Sequence, residues 1–313
     1  MKRIAIVTGA SSGMGQWFAR TASEYVKFDE LWIIARRADR LEALACELEA
    51  ASRGTGAEEL GENAASRGTG AEELEENASR RTGAEELGEN ASRRTTESAG
   101  CGTRASVRPV PMDLTDSAAV ASLGKLLKEE DADVVLLVNA AGFGKFQAVA
   151  DVPLQAADSM LDLNCRALMD MCYTVIPFMN NGAKILNIAS VAAFQPVPYV
   201  TEYAATKAFV LSFSRGLWKE LHHKGITVTA LCPYWTRTEF FDVANNNDSK
   251  DMVKYFNAMY EPEDVVRRGW RDLMKGRDIS TFGFIARAQI VLVKLLPHRL
   301  VMRIWCHQQK IKG

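Results

Sequence analysis

Paired cysteines are missing from this chain. The six it has, Cys46, Cys101, Cys165, Cys172, Cys232 and Cys306, are scattered, with no CxxC and no paired spacing. That argues against a disulfide framework and for reduced thiols. Histidine is scarcer still, with four in 313 residues. None stands at metal-ligand spacing from a Cys or an acid, and His222-His223 reads as an exposed helix end, so no metal is expected. Net charge is nearly absent: 38 basic against 39 acidic side chains leave −1, which removes the electrostatic case for nucleic acid. No run of roughly 18 uncharged apolar residues occurs, so no spanning helix is expected. The first strand, KRIAIVTGA, begins almost at Met1, leaving no room for a signal peptide, and a cytoplasmic protein is expected.

What is present is an ordinary globular composition able to bury a sizeable core. Short apolar runs rich in β-branched residues recur at Ile4–Val7, Leu31–Ile34, Val134–Val138, Lys184–Ile188 and Ile226–Leu231. Between them lie amphipathic stretches such as Met14–Val26, Arg40–Glu49 and Ala156–Phe178. Apolar strands alternating with helices of this length predict an α/β fold, a doubly wound parallel sheet covered on both faces, as one domain over 1–313.

Residues 51–100 break that rhythm. Four near-copies of ASRGTGAEELGEN begin at 51, 65, 78 and 91, and the segment holds six Arg and eleven Glu, a net of −5. With almost no large apolar side chains it cannot offset the entropy of ordering, and the reading is a disordered insertion or a fraying surface helix. The other end of the chain has the opposite sign. From Val265 to Gly313 eleven Lys or Arg face two Asp, a net of +9. Within 240–313, Phe240–Pro262 reads as an aromatic substrate loop, through Phe240, Phe241, Tyr255, Phe256, Met259 and Tyr260. The apolar, basic stretch Phe282–Trp305 reads as a helical flap that covers the sheet or the substrate cleft, in preference to a peripheral membrane contact.

The first apolar strand ends in Thr8-Gly9-Ala10-Ser11-Ser12-Gly13-Met14-Gly15 and a helix follows. Three glycines there allow a tight turn and close approach of backbone to a pyrophosphate, with the helix N-terminus supplying amide donors. The second strand ends Ile34-Ala35-Arg36-Arg37. An acidic residue would accept the ribose 2′-hydroxyl of NAD; two guanidiniums in its place suit a 2′-phosphate, which favours NADP(H). Asp113 at the close of the third strand could accept from an adenine amino group or cap the next helix. Asn139-Ala140-Ala141-Gly142 puts small residues where a cofactor lies against the sheet.

Farther on stand Asn164, Ser190, Tyr203 and Lys207, the last two one helical turn apart. Together with TGASSGMG, MDLTD, NAAG and Cys232-Pro233, in this order and spacing, they resemble the short-chain dehydrogenases/reductases over residues 2 to about 240, the insertion apart. The resemblance implies a Rossmann-type fold and a catalytic tetrad of Asn164, Ser190, Tyr203 and Lys207. Cofactor contacts are implied at Gly9, Ser11, Ser12, Gly13, Met14, Gly15, Arg36, Arg37, Asp113, Asn139, Ala140, Gly142, Tyr203, Lys207, Pro233, Thr236 and Thr238.

The chemistry fits those residue types. Reducing a ketone needs hydride on carbon, which the cofactor supplies, and a proton on oxygen. Tyr203 is the proton donor, with the Lys207 ammonium expected to lower a phenol pKa of about 10. Ser190 steadies the developing charge on the substrate oxygen. As the family pattern implies, Lys207 also bonds the nicotinamide ribose and Asn164 holds a water for proton relay. Two features depart from the family. Tyr234 replaces the glycine after Pro233, which is expected to alter the backbone or narrow the nicotinamide pocket, and the usual ending with a final strand and an Asp-Gly-Gly turn is expected to be absent. The expected protein is an NADP(H)-dependent oxidoreductase acting on a hydrophobic carbonyl or alcohol, and, by analogy, a homo-oligomer. The alternatives are a non-catalytic NADP-binding regulator or scaffold and, less favoured by the spacing, a sugar-nucleotide epimerase or dehydratase.

Overall fold

The apolar runs become strands β1 (Lys2–Thr8), β2 (Glu30–Ala35), β3 (Ser106–Pro111), β4 (Ala132–Asn139), β5 (Lys184–Ile188), β6 (Thr227–Leu231) and β7 (Ile279–Ser280). They form one sheet in the order β3-β2-β1-β4-β5-β6-β7, each neighbouring pair parallel. The structure, a computed structural model, describes residues 1–62, 105–244 and 253–311. All six residues of β2 are buried, as expected of a parallel strand with helices on both faces.

The helices are α1 (Gly13–Tyr25), α2 (Ala38–Glu62), α3 (Ser117–Glu129), α4 (Leu154–Leu161), α5 (Leu168–Val175), α6 (Thr201–Leu221), α7 (Phe240–Ala244), α8 (Pro262–Met274), α9 (Phe284–Leu295) and α10 (His298–Gln308). Side-chain alternation along the strands sorts the core into two layers. Ile4 and Ile6 of β1 join Leu123 of α3, Met171 of α5 and Val210 of α6 on one face. Ala5 and Val7 join Phe18 of α1, Leu44 of α2 and Trp270 of α8 on the other. The doubly wound α/β sheet read from the sequence is therefore present. Strand order reverses between β1 and β4, and a ligand crevice belongs outside the carboxyl ends of strands at such a switch point.

Two expectations need correction. The single helix Ala156–Phe178 is broken: α4 and α5 are separated by a π-helical turn, Asp162–Ala167. The apolar stretch Phe282–Trp305, expected to be helical, forms two helices. Leu296, which precedes Pro297, is extended (φ −96°, ψ 145°), since a residue before proline is pushed out of the helical region. A final strand does exist, but β7 has only two residues, too few to show a period. What fixes it is a carboxylate: Asp272, 1% exposed, accepts from Arg268 at 2.6 Å and Arg277 at 3.0 Å. The Ser280 hydroxyl of β7 donates to it at 2.9 Å, so α8 and the edge strand share one buried acid.

Of the repeat segment, the residues to Glu62 continue α2; the rest of the predicted disordered insertion, 63–100, lies outside the described residues, as do 101–104. The site described next belongs to the unit formed by Met1–Glu49 and Ala105–Gly313. Among the described residues no helix is long and apolar enough to cross a membrane.

Candidate active site

Two cavities meet at the carboxyl ends of β1, β4 and β5. One, of about 510 Å³, is a trough between the glycine turn and Lys207. The turn follows β1 directly, with Gly9 at φ +65° and Gly13 at φ +56°, a left-handed region in which side chains are strained. Space requires glycine as well: a Cβ on Gly9 would stand 2.7 Å from the Ala141 nitrogen, and one on Gly15 would meet the Gly9 carbonyl. Ser12 is the N-cap of α1 but makes no side-chain capping bond. Its hydroxyl accepts from Arg37 at 3.1 Å instead, and Arg37 also reaches the Ser11 hydroxyl at 3.0 Å.

The trough is lined by Gly9, Ser11, Ser12, Gly13, Met14 and Gly15 and by the pair Arg36 and Arg37. Asp113, Ala140, Gly142, Tyr203, Lys207 and Thr238 line the remainder of the predicted set. Backbone close to an uncapped helix N-terminus, two guanidiniums at the far end and a lysine at the near end suit a dinucleotide phosphate backbone and its 2′-phosphate. The residues present thus fit the cofactor that the sequence implies.

Asn139, Pro233 and Thr236 do not line the trough. The Asn139 side chain turns into the interior and donates to Asn187 Oδ1 at 2.9 Å; Pro233 and Thr236 line the second cavity. Asp113 does not cap α3. Its carboxylate accepts from the Thr115 amide and hydroxyl at 3.0 and 2.8 Å, which holds its pKa below the usual range. The capping role falls to Asp116, which accepts from Ala118 N and Ala119 N.

Where the cavities adjoin, Tyr203 and Lys207 project from one face of α6, and Ser190 stands just past β5. The Lys207 ammonium is buried and donates to the Ile188 carbonyl at 2.7 Å. Burial brings its pKa down to about 8. Burial also pushes the Tyr203 phenol up to about 12, with a hydrogen bond from the Ser190 side chain pulling it the other way. The lowering expected from Lys207 is therefore outweighed by burial. The nitrogen sits 5.7 Å from the Tyr203 ring centroid and its hydrogen bond goes to the Ile188 carbonyl, so desolvation dominates.

Asn164 lies in the π-turn, 1% exposed, and lines neither cavity. Its amide brackets one backbone unit: Nδ2 donates to Phe143 O at 2.8 Å and Oδ1 accepts from Phe143 N at 3.1 Å. Nδ2 also reaches Thr206 Oγ1 at 3.0 Å. In this structure Asn164 is a clamp between the NAAG loop and α6.

The second cavity, of about 540 Å³, opens from Ser190 and Tyr203 toward the chain's end. Phe240 and Phe241 of the predicted substrate loop line it, and so do Phe284, Leu292, Ile304 and Trp305 of α9 and α10. Phe256 packs instead on Trp235 and Phe241, with ring centroids 5.0 and 5.2 Å away. Tyr260 packs on Phe282 at 5.1 Å, and residues 245–252 of the loop lie outside the described residues. Tyr234 lines this cavity, beside Pro233 and Thr236, and not the trough. Sequence reasoning missed Trp235, Trp305 and Gln195 as lining residues. It also missed Glu239, which takes Arg37 at 3.3 Å and Arg40 at 2.7 Å. None sits in a motif or shows a period; each arrives through tertiary folding.

A Rossmann-type sheet with a glycine turn at its switch point and Ser190, Tyr203 and Lys207 at the near end defines the class: a nucleotide-dependent oxidoreductase. The short chain dehydrogenase family model matches residues 63–249, and the chain belongs to the short-chain dehydrogenase/reductase family. It is 30% identical over 267 residues to serine 3-dehydrogenase of Rhizobium radiobacter, covering 83% of each chain. Among solved structures it is similar to a short-chain dehydrogenase from Sphingobium yanoikuyae in complex with NADPH. That likeness has TM-score 0.65 and 23% identity, and covers 97% of this chain and 95% of that one. A second, from Burkholderia phymatum in complex with NAD, gives TM-score 0.67 at 19% identity, covering 93% and 92%.

Proposed function

We propose that this protein interconverts a neutral, bulky, apolar ketone or aldehyde and its alcohol, with NADP(H) preferred over NAD(H). The observation that carries the reading is the lining of the 540 Å³ cavity: among the described residues no charged side chain borders it. An amino-acid substrate, such as the name of the Rhizobium relative indicates for that protein, would bring an ammonium and a carboxylate with nothing there to pair them. An apolar carbon skeleton loses nothing by entering.

When bound, the nicotinamide supplies hydride to the substrate carbon or takes it away. The chain's own groups handle the oxygen. Tyr203 keeps its proton at neutral pH, because burial holds its phenol near 12, and it delivers that proton to the substrate oxygen in the reductive direction. Ser190 donates to the same oxygen and steadies its charge as it develops. Lys207, anchored on Ile188 O, places its ammonium next to the trough for the nicotinamide ribose. The relatives named by activity are enzymes, and the regulatory alternative gains no support from them.

The test is NADPH and NADH oxidation against a panel of aromatic, polycyclic and long-chain ketones. Arg36 and Arg37 line the trough beyond the glycine turn, where they would meet a 2′-phosphate. A double Arg36→Ser, Arg37→Ser variant should lower kcat/KM for NADPH by about 100-fold and leave NADH nearly unchanged, as expected for one or two charge-assisted hydrogen bonds. An equal fall with both cofactors would sink the preference. Self-assembly belongs to the same reading. Leu154, Leu161, Tyr173 and Phe209 are exposed on α4, α5 and α6 and its neighbourhood, an apolar surface suited to a second copy. Light scattering should give a dimer or larger; a monomer at working concentration would remove that part.

A further inference from the structure

Helix α9 is apolar on two sides. Ala286 and Val293 face inward and are buried. Phe284, Ile285, Ala288, Val291, Leu292 and Leu295 recur at the spacing of a second stripe, and all six are exposed. Phe284 is 84% exposed and Leu295 76%. A helix apolar nearly all round belongs in a core or in lipid, yet the fold covers only one side of this one. Helix α10 adds Leu300 and Ile304, one turn apart and exposed, while Val301 and Trp305 are buried. Exposed apolar surface of this extent marks an interaction site.

The charge around the stripe has one sign. From Ile279 to Gly313 there are six Lys or Arg and no Asp or Glu. On α9, Arg287 bonds the Thr281 carbonyl at 3.2 Å and Lys294 sits 5.8 Å from the Phe194 ring centroid. Arg299 and Arg303 form an exposed row on α10, each next to one of the exposed apolar residues. A second copy docked here about a two-fold axis would set these cations against their own kind. An anionic lipid surface accepts both features. Apolar side chains enter the headgroup boundary, and each cation near the surface adds about fivefold in partitioning.

The same surface is continuous with the second cavity. Phe284, Ile285, Leu292 and Ile304 are exposed and also line it. Its mouth therefore lies within the apolar stripe, and the cavity reaches Ser190 and Tyr203.

We propose that α9 and α10 form a docking surface for an anionic lipid bilayer, and that an apolar substrate dissolved in the bilayer enters the cavity through it. Docking stands on exposure and charge alone. Substrate entry rests on the reading of the cavity as a carbonyl or alcohol site.

Sedimentation of the full chain, with NADPH bound, beside lipid vesicles tests the docking. Wild type should partition onto phosphatidylcholine vesicles containing phosphatidylglycerol, and less onto phosphatidylcholine alone. An Arg299→Ser, Arg303→Ser variant should lower the partition coefficient on the mixed vesicles about 30-fold, and added salt should act in the same direction. Val291 and Leu295 line neither cavity. A Val291→Ser, Leu295→Ser variant should lower partitioning about tenfold on both vesicle types, with Tm as the check on folding. Wild type left in the supernatant with both vesicle types, or serine variants that bind as well as wild type, overturns the docking. So does light scattering in which the Val291→Ser, Leu295→Ser variant loses an oligomer without losing vesicle binding, since the stripe is then a subunit interface.

Turnover tests the entry. Wild type should reduce a long-chain ketone carried in mixed vesicles about tenfold faster than the Val291→Ser, Leu295→Ser variant, while both treat a water-soluble ketone alike. Equal rates on the vesicle-borne ketone remove the entry route. Vesicle binding without turnover of any ketone leaves the docking surface standing and removes the proposed reaction; ketone turnover without vesicle binding does the reverse.

Discussion

Replacing Tyr203 by phenylalanine is expected to lower kcat for ketone reduction by about 10³-fold, the range lost with a general acid, equivalent to about 4 kcal/mol of barrier. The substitution removes one oxygen and keeps the ring. That ring packs against Phe240 with centroids 5.3 Å apart and leaves no room for a Cβ on Gly144, which would lie 2.8 Å from Tyr203 Cδ2. The fold and the NADPH affinity should therefore be little changed. Steady-state turnover beside NADPH titration reads both quantities. A kcat within tenfold of wild type would transfer the proton to another donor, and a collapse in cofactor affinity would make Tyr203 a structural residue. Burial raises the phenol to about 12, so Tyr203 holds its proton at neutral pH, as a donor to the substrate oxygen must.

The second large effect is on stability, at a place remote from the chemistry. Trp270 of α8 is fully buried. Its ring stacks on Tyr25 at 4.9 Å and meets Phe18 edge-on at 5.2 Å, and its indole donates to Thr21 Oγ1 at 2.8 Å. All three partners lie on α1, the helix whose N-terminus follows the glycine turn. Trp270→Ala should destabilise the protein by about 3–5 kcal/mol, through lost transfer energy and the cavity left behind. For a chain of this size that is a fall in Tm of roughly 10 °C. Trp270→Phe, which forfeits mainly the indole bond and some area, should cost about 1–2 kcal/mol. Thermal unfolding followed by circular dichroism distinguishes them; equal and small losses would mean α8 is held by Asp272 and its arginines rather than by this ring.

Much of the fold was legible because strands buried on both faces must be apolar throughout, and Ile4–Val7 or Leu31–Ile34 could be nothing else. The glycine turn was legible because only glycine tolerates φ near +60° where the backbone at Ala141 presses close. Tyr203 and Lys207 were legible because helical spacing puts them on one face. Other features had no local mark. The break at Asp162–Ala167 lies inside a stretch with good helical periodicity. It appears once Asn164 is bonded to Phe143 and Thr206, partners 21 and 42 residues away. Strand β7 is two residues held by Asp272, and neither carries a strand signature. Asn139, one residue from the small residues at the trough, points away from it because alternation along β4 turns its side chain into the interior.

Taken alone, the sequence determined the sheet, the order of its parts and the identity of the groups that meet at the switch point, because periodicity and glycine geometry are local properties of the chain. Only the tertiary structure decided the sign of the Tyr203 shift, the closure of the second cavity by α9 and α10 and the exposure of the outer stripe of α9. Desolvation and exposure depend on what surrounds a group in space, and those neighbours lie up to about a hundred residues away along the chain.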